Sequence, residues 1–392
     1  VGESRNRPAV VTAAIVVIAV VTLGLAEGMA RLVSALERSE IPAVARLVNA
    51  RLQLNPYQEP SDRYPRHWRL RTGWYADSRD LAAIKRASGR EEGARFLEQA
   101  SSIGFGLPLV VNSDGFKGPD LLAERTMPRL LAVGDSVTFG VAGWDYVRAM
   151  EASLALEGLR MEGVNAGVEG YSTLNALHER PRLVAIRADV CLLMIGWNDL
   201  FAEDGRYGTL GGHFHFAGMI RRVSRFLADS DRSAADKALR DRPKRPVVDD
   251  ADVRRYQGYR PAFVDDLERL GVTLEQGGCR IAISTLAGLY TDNEPPSAKA
   301  LAIGHLPAFT DNPYVLAAMT AGTNNALRGL AARHGWHLVD IAAWADRTAH
   351  PRADWFSDGV HLWAWALARL GDELARELRS DLFSPGLAPP GQ

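Results

Sequence analysis

Four short clusters hold the residue types needed for acyl transfer: Gly134-Asp135-Ser136-Val137-Thr138-Phe139-Gly140, Asn165-Ala166-Gly167-Val168-Glu169-Gly170-Tyr171-Ser172, Gly196-Trp197-Asn198-Asp199 and Asp358-Gly359-Val360-His361. A serine hydroxyl is a poor nucleophile at neutral pH and needs a base within hydrogen-bond reach. His361 has the right intrinsic basicity for that task. Asp358 stands three residues earlier, so on a turn its carboxylate reaches the imidazole Nδ1, fixes the tautomer and stabilises the imidazolium. The tetrahedral intermediate that follows carries an oxyanion and requires preorganised donors. Candidates are the backbone N–H groups of Ser136 and Gly167 and the side-chain amide of Asn198. Each cluster alone is ordinary in loops, where Asn, Asp, Ser and Gly are common. Their joint occurrence is the signal.

The clusters must be brought together by the elements between them. Short aliphatic runs alternate with longer amphipathic ones from about Leu107 onward. The runs Arg129–Val133, Arg160–Asn165, Val190–Ile195, Arg280–Thr285 and His337–Ile341 read as strands. The stretches Trp144–Glu157, Leu174–Leu183, Asp250–Gln276, Pro313–His334 and His361–Leu378 have helical spacing. Such alternation predicts an α/β fold, a parallel sheet of five strands covered on both faces. In a sheet of this kind ligands gather outside the carboxyl ends of the strands. The clusters follow the first three strands and precede the last helix, so all four fall on that edge. Asp135 and Asp199 read as braces for backbone turns, and His334, His337 and His350 as structural or surface residues. His213 and His215 alternate with Phe214 and Phe216 and read as an exposed strand.

These clusters resemble the signature blocks of the SGNH (GDSL-like) hydrolases, which supply Ser, Gly, Asn and His in this order with an Asp three residues before the His. The match falls on Ser136, Gly167, Asn198, His361 and Asp358, and spans roughly Val110 to Leu378. The segment Val111-Asn112-Ser113-Asp114-Gly115-Phe116-Lys117-Gly118 is similar to the lead-in of bacterial membrane-anchored members. The resemblance implies a three-layer α/β/α sandwich of flavodoxin type, with no metal and no organic cofactor. Two departures stand out. Trp363 and Ala366 replace a more usual small polar residue and glycine, and residues 201–255 form a long insertion.

The rest of the chain sets the context. Its 392 residues are 47% hydrophobic and 24% charged with a net charge of −1, which excludes disordered and collagen-like classes and gives no field for nucleic acid. Residues 1–54 read as an anchor with an amphipathic continuation, 55–106 as an irregular and helical lead-in, 107–380 as the hydrolase domain and 381–392 as a disordered tail. The uncharged run from Ala9 to Ala26 would span about 27 Å as a helix, enough for a thin hydrocarbon core. It is longer than an ordinary signal-peptide core and lacks a clear cleavage site, which favours an uncleaved transmembrane helix over a cleaved signal. Arg5 and Arg7 before it favour an extracytoplasmic catalytic domain, although Arg31, Arg38 and Arg46 follow on the other flank. Cys191 and Cys279 each open an apolar run and read as two unpaired core thiols. The expected function is removal of a short acyl group, such as acetyl, from a glycan or small molecule. O-acyl transfer to an envelope polysaccharide is an alternative for the same residues, and a non-catalytic binding or assembly subunit beside a membrane-protein partner is another.

Overall fold

A computed structural model describes residues 17, 18, 20–29, 57, 58, 69, 70, 72, 73, 75–87, 91–202 and 241–383. The chain divides into two compact units, Val1–Arg69 with Tyr207–Asp231, and Leu70–Arg206 with Arg232–Gln392. In the first, residues 20–29 are helical and carry exposed Val20, Val21, Leu23, Leu25 and Met29. Half of the expected transmembrane segment, residues 9–16 and 19 of the run from Ala9 to Ala26, lies outside the described residues. Among the described residues no helix is long and apolar enough to cross a membrane. Residues 203–240, which include His213, His215 and most of the insertion, also lie outside the described residues, as does the tail from 384.

The second unit is built on five parallel strands: β1 (Arg129–Gly134), β2 (Glu162–Gly167), β3 (Val190–Met194), β4 (Arg280–Ser284) and β5 (His337–Val339). Their order is β2-β1-β3-β4-β5. Every residue of β1 and β3 is buried, which is why these runs read as continuously aliphatic rather than alternating. The helices used below are α1 (Ser136–Phe139), α2 (Tyr146–Leu156), α3 (Thr173–His178), α4 (Arg180–Ala185), α5 (Trp197–Phe201), α6 (Phe263–Gln276), α7 (Pro313–His334) and α8 (Ala364–Phe383). The connection from β1 to β2 runs one way across the sheet and every later one runs the other way. Right-handed crossovers therefore put α2 on one face and α3, α4, α6 and α7 on the opposite face. The last helix, α8, packs on α2, so closely that a Cβ on Gly371 would lie 2.3 Å from that of Ala149. Three layers result. The reversal of direction at β1 and β3 opens a crevice at their carboxyl ends.

Two expected helices are each broken in two. Leu174–Leu183 is interrupted at Glu179, where Pro181 opens α4. Asp250–Gln276 becomes Ala251–Tyr256 and α6, separated by Gly258 (φ +74) and Pro261. The final helix starts at Ala364 rather than His361, because Phe356 and Leu362 pair as an antiparallel bridge and keep residues 357–361 in a turn.

The cysteines correct the sequence expectation. Cys191 and Cys279 are not free thiols but form a disulfide, with Cα atoms 5.9 Å apart. β3 and β4 are neighbours in register Cys191↔Ile281, so Cys279, two residues before Ile281, shares a face with Ile281 and sits diagonally across from Cys191.

From Leu70 onward the lead-in belongs to the same unit as the sheet. Tyr75–Ala76 pairs antiparallel with Leu109–Val110, and Phe96 of the helix Glu91–Ser102 meets the Trp363 ring at 5.2 Å. Lys117 bridges to Asn165 at the edge of β2. Its buried ammonium makes an ion pair with Asp145 at 2.8 Å and donates to the carbonyls of Trp144 (3.2 Å) and Phe139. Burial pushes this lysine down, against the Asp145 charge that holds it up.

Candidate active site

The exit from β1 is shaped by close packing. A Cβ on Gly134 would fall 1.8 Å from Thr138 Oγ1, so only glycine lets the chain turn directly into α1. Asp135 caps that helix by accepting from the Val137 amide at 3.0 Å, and its other oxygen accepts from the Trp197 amide at 3.2 Å. The carboxylate thus ties the exit of β1 to the exit of β3, as expected of a brace. Burial raises its proton affinity, while the amides and the nearby His361 work against that rise. Ser136 is the first residue of α1, where a helix leaves its amides without an i−4 acceptor.

Ser136, His361 and Asp358 are joined in one hydrogen-bonded chain. His361 Nε2 lies 2.7 Å from Ser136 Oγ, and His361 Nδ1 lies 2.7 Å from Asp358 Oδ2. The other Asp358 oxygen accepts from the amides of Val360 and His361, both at 2.9 Å, which locks the turn around the carboxylate. Burial alone would raise the Asp358 carboxyl. The charge and hydrogen bond of His361 outweigh it and hold the group well below the usual carboxylate range. Burial likewise disfavours the imidazolium. Asp358 outweighs that through charge and hydrogen bond, with Asp135 and Glu169 adding to it, so His361 stands above the ordinary histidine value. A base so placed can remove the Ser136 proton, and its carboxylate partner stabilises the ion that forms.

Asn198 is in α5, on a β3 exit that passes through Gly196 at φ +143. Its amide donates to the Tyr171 carbonyl at 2.9 Å, spending one of its two hydrogens. Asp199 accepts from the amide and hydroxyl of Thr173, each at 3.0 Å, and braces the β2 exit against α5. Gly167 departs from expectation. Its N–H donates to Asn165 Oδ1 at 2.8 Å, and a Cβ there would meet the Phe139 nitrogen at 2.4 Å. Gly167 is therefore glycine because α1 presses on it, and its amide is committed elsewhere. Gly170, three residues on in the same cluster, is exposed at φ +79. His305, unmarked by any motif, donates no signal in the sequence yet lies 3.8 Å from the Asp358 carboxylate. His350 is on the surface, with Nε2 2.5 Å from the Asp346 carbonyl. Among the described residues no group of three His, Cys, Asp or Glu side chains is placed to hold a metal.

Fold and residue set together define a serine hydrolase that cleaves esters. The chain belongs to the GDSL-like lipase/acylhydrolase (SGNH) family, whose model matches residues 132–365. Among solved structures it is similar to a lipase/acylhydrolase from Enterococcus faecalis, at 16% identity and a TM-score of 0.40 over 66% of this chain and 98% of that one. It is also similar to the acetyl xylan esterase AlAXEase, at 17% identity and 0.37 over 63% and 97%. A third similar structure is a catalytic mutant of the acetylxylan esterase Axe2 from Geobacillus stearothermophilus, at 16% and 0.40 over 66% and 96%. Among curated proteins no match to the chain is found.

Proposed function

We infer that the protein removes a short acyl group from an ester of a hydroxyl-rich alcohol through an acyl-enzyme on Ser136. The observation that carries this reading is the continuous Ser136–His361–Asp358 hydrogen-bond chain at the carboxyl edge of the sheet. Ser136 Oγ attacks the carbonyl carbon as His361 Nε2 takes its proton. The oxyanion is held by the Ser136 amide and by the remaining hydrogen of the Asn198 amide, with the Gly170 amide in place of the expected Gly167. Collapse expels the alcohol, which takes the proton from His361. Water then repeats the sequence in reverse and releases the acid.

Phe263 and Leu286 lie within 2.8 and 3.3 Å of a Cβ position on Gly196, which keeps the β3 exit that carries Asn198 tightly packed. Glu169 and His305 beside the acid–base pair make the rim polar, which suits a sugar more than a lipid. We assign the protein to the extracytoplasmic side of a membrane, tethered through the segment that ends in the helix at residues 20–29. The apolar run and the Cys191–Cys279 disulfide support that assignment, because disulfides persist in oxidising compartments.

Ser136→Ala should abolish turnover of 4-nitrophenyl acetate and leave the circular dichroism melt intact. A panel graded from acetyl to dodecanoyl should show a steep preference for acetyl. Activity retained in the Ser136 variant would remove the mechanism, and a preference for long chains would remove the substrate class.

A further inference from the structure

The geometry points to His305 as a positioning residue that holds the acid–base turn in register with α5, an assignment that rests on the esterase reading above. His305 sits in the loop between the helix Ala298–Ile303 and α7. Its Nδ1 accepts from the Gly359 amide at 3.3 Å, in the middle of the Asp358–His361 turn. Its ring lies 4.9 Å from that of Phe201, the last residue of the helix that carries Asn198. On the other side of the turn the Gly359 carbonyl accepts from the Leu289 amide at 3.0 Å. A Cβ on Gly359 would approach the His305 carbonyl to 2.7 Å, so the contact is built for glycine.

The hydrogen bonds of the turn explain what this contact does. Asp358 spends one oxygen on His361 and the other on the amides of residues 360 and 361. The Gly359 amide is the remaining donor, and His305 accepts it. To accept that bond, Nδ1 must be the unprotonated nitrogen of the ring. Without that acceptor the Gly359 N–H competes for the Asp358 carboxylate, only 3.8 Å from His305 Nδ1, and turns it from His361. The loop bearing His305 is itself fixed from the returning end of the insertion. Arg242 donates to the carbonyls of Ala308 (3.2 Å) and Thr310, and Arg245 pairs with Asp311 at 2.8 Å.

The test uses the full chain and 4-nitrophenyl acetate, with two substitutions. His305→Leu removes the acceptor. His305→Asn keeps an acceptor oxygen near the Nδ1 position. The leucine variant should lower kcat at least tenfold with KM within twofold, and move the acid limb of kcat/KM to lower pH as Asp358 loses its hold on His361. The asparagine variant should restore both kcat and the limb. Unchanged kcat and limb in the leucine variant, or equal impairment of the two variants, would overturn the role. Should the leucine variant not fold, Arg242→Ala, which loosens the same loop from outside, must lower kcat in the same direction; an unaltered kcat there overturns it. Fluorophosphonate labelling of Ser136 in the unmodified protein reads the esterase assignment separately. No labelling removes that assignment, whereas normal labelling with an unaffected leucine variant removes only the role of His305.

Discussion

His361 must be neutral to accept the Ser136 proton, and Asp358 raises the pH at which it becomes so. As pH falls through that value the base is lost, so kcat/KM should decline from a midpoint above the ordinary histidine value of about 6.5. Asp358→Asn removes the raising charge and leaves the burial. The limb should then move to lower pH while the plateau drops by about 10⁴-fold, both read from one pH–rate profile. Asn198→Ala should cost about 10²–10³ in kcat with a milder effect on KM. Gly167→Ala should act differently and lower the melting temperature, because its Cβ has no room against α1. The serine, histidine and aspartate were legible in the sequence, because residue type and a three-residue spacing already specify their chemistry. The partner of the Gly167 amide was not. That depends on Asn165 folding back onto the Gly167 amide, a local bond no motif encodes. His305 was invisible for a similar reason, since only the folded loop brings it to the turn.

Strands were legible as elements because buried parallel strands are unbroken aliphatic runs, and α7 matches its expected limits, Pro313 to His334. Helix breaks were readable in principle from Pro181, Gly258 and Pro261, but amphipathic periodicity runs across them and masks the interruption. Strand order is not written in periodicity, and the disulfide depends on that order. Without knowing that β3 and β4 are neighbours, two cysteines 88 residues apart carry no pairing information. Cys279→Ser should lower stability by on the order of 2–4 kcal/mol, measured from urea midpoints under oxidising conditions, and the same loss should follow reduction of the unmodified protein. Lys117 makes a comparable case in the lead-in. Replacing it with Met leaves Asp145 buried without its partner beneath the loop after α1, at a cost of about 3–5 kcal/mol. That variant should also lose activity in proportion to the unfolded fraction, a link that a denaturation curve and an activity titration can check together.

For the whole molecule, a tether through the N-terminal apolar segment predicts that the full chain sediments with bacterial membranes, resists extraction by high salt and is released by detergent. Release by salt alone would leave the exposed apolar helix at residues 20–29 as an ordinary surface feature. The cross-link between β3 and β4 has another consequence, because it lies at the beginning of those strands, while Ser136 and Asn198 follow the ends of β1 and β3 and His361 is bonded to Ser136 there. One rim of the sheet carries a covalent link; the opposite rim is held by hydrogen bonds such as those of Asp135 and Asp199. Amide hydrogens near Val190 and Arg280 should therefore exchange with deuterium far more slowly than those around Gly196 and Gly359. On gentle heating the protein should surrender its turnover first and its secondary structure only at a higher temperature.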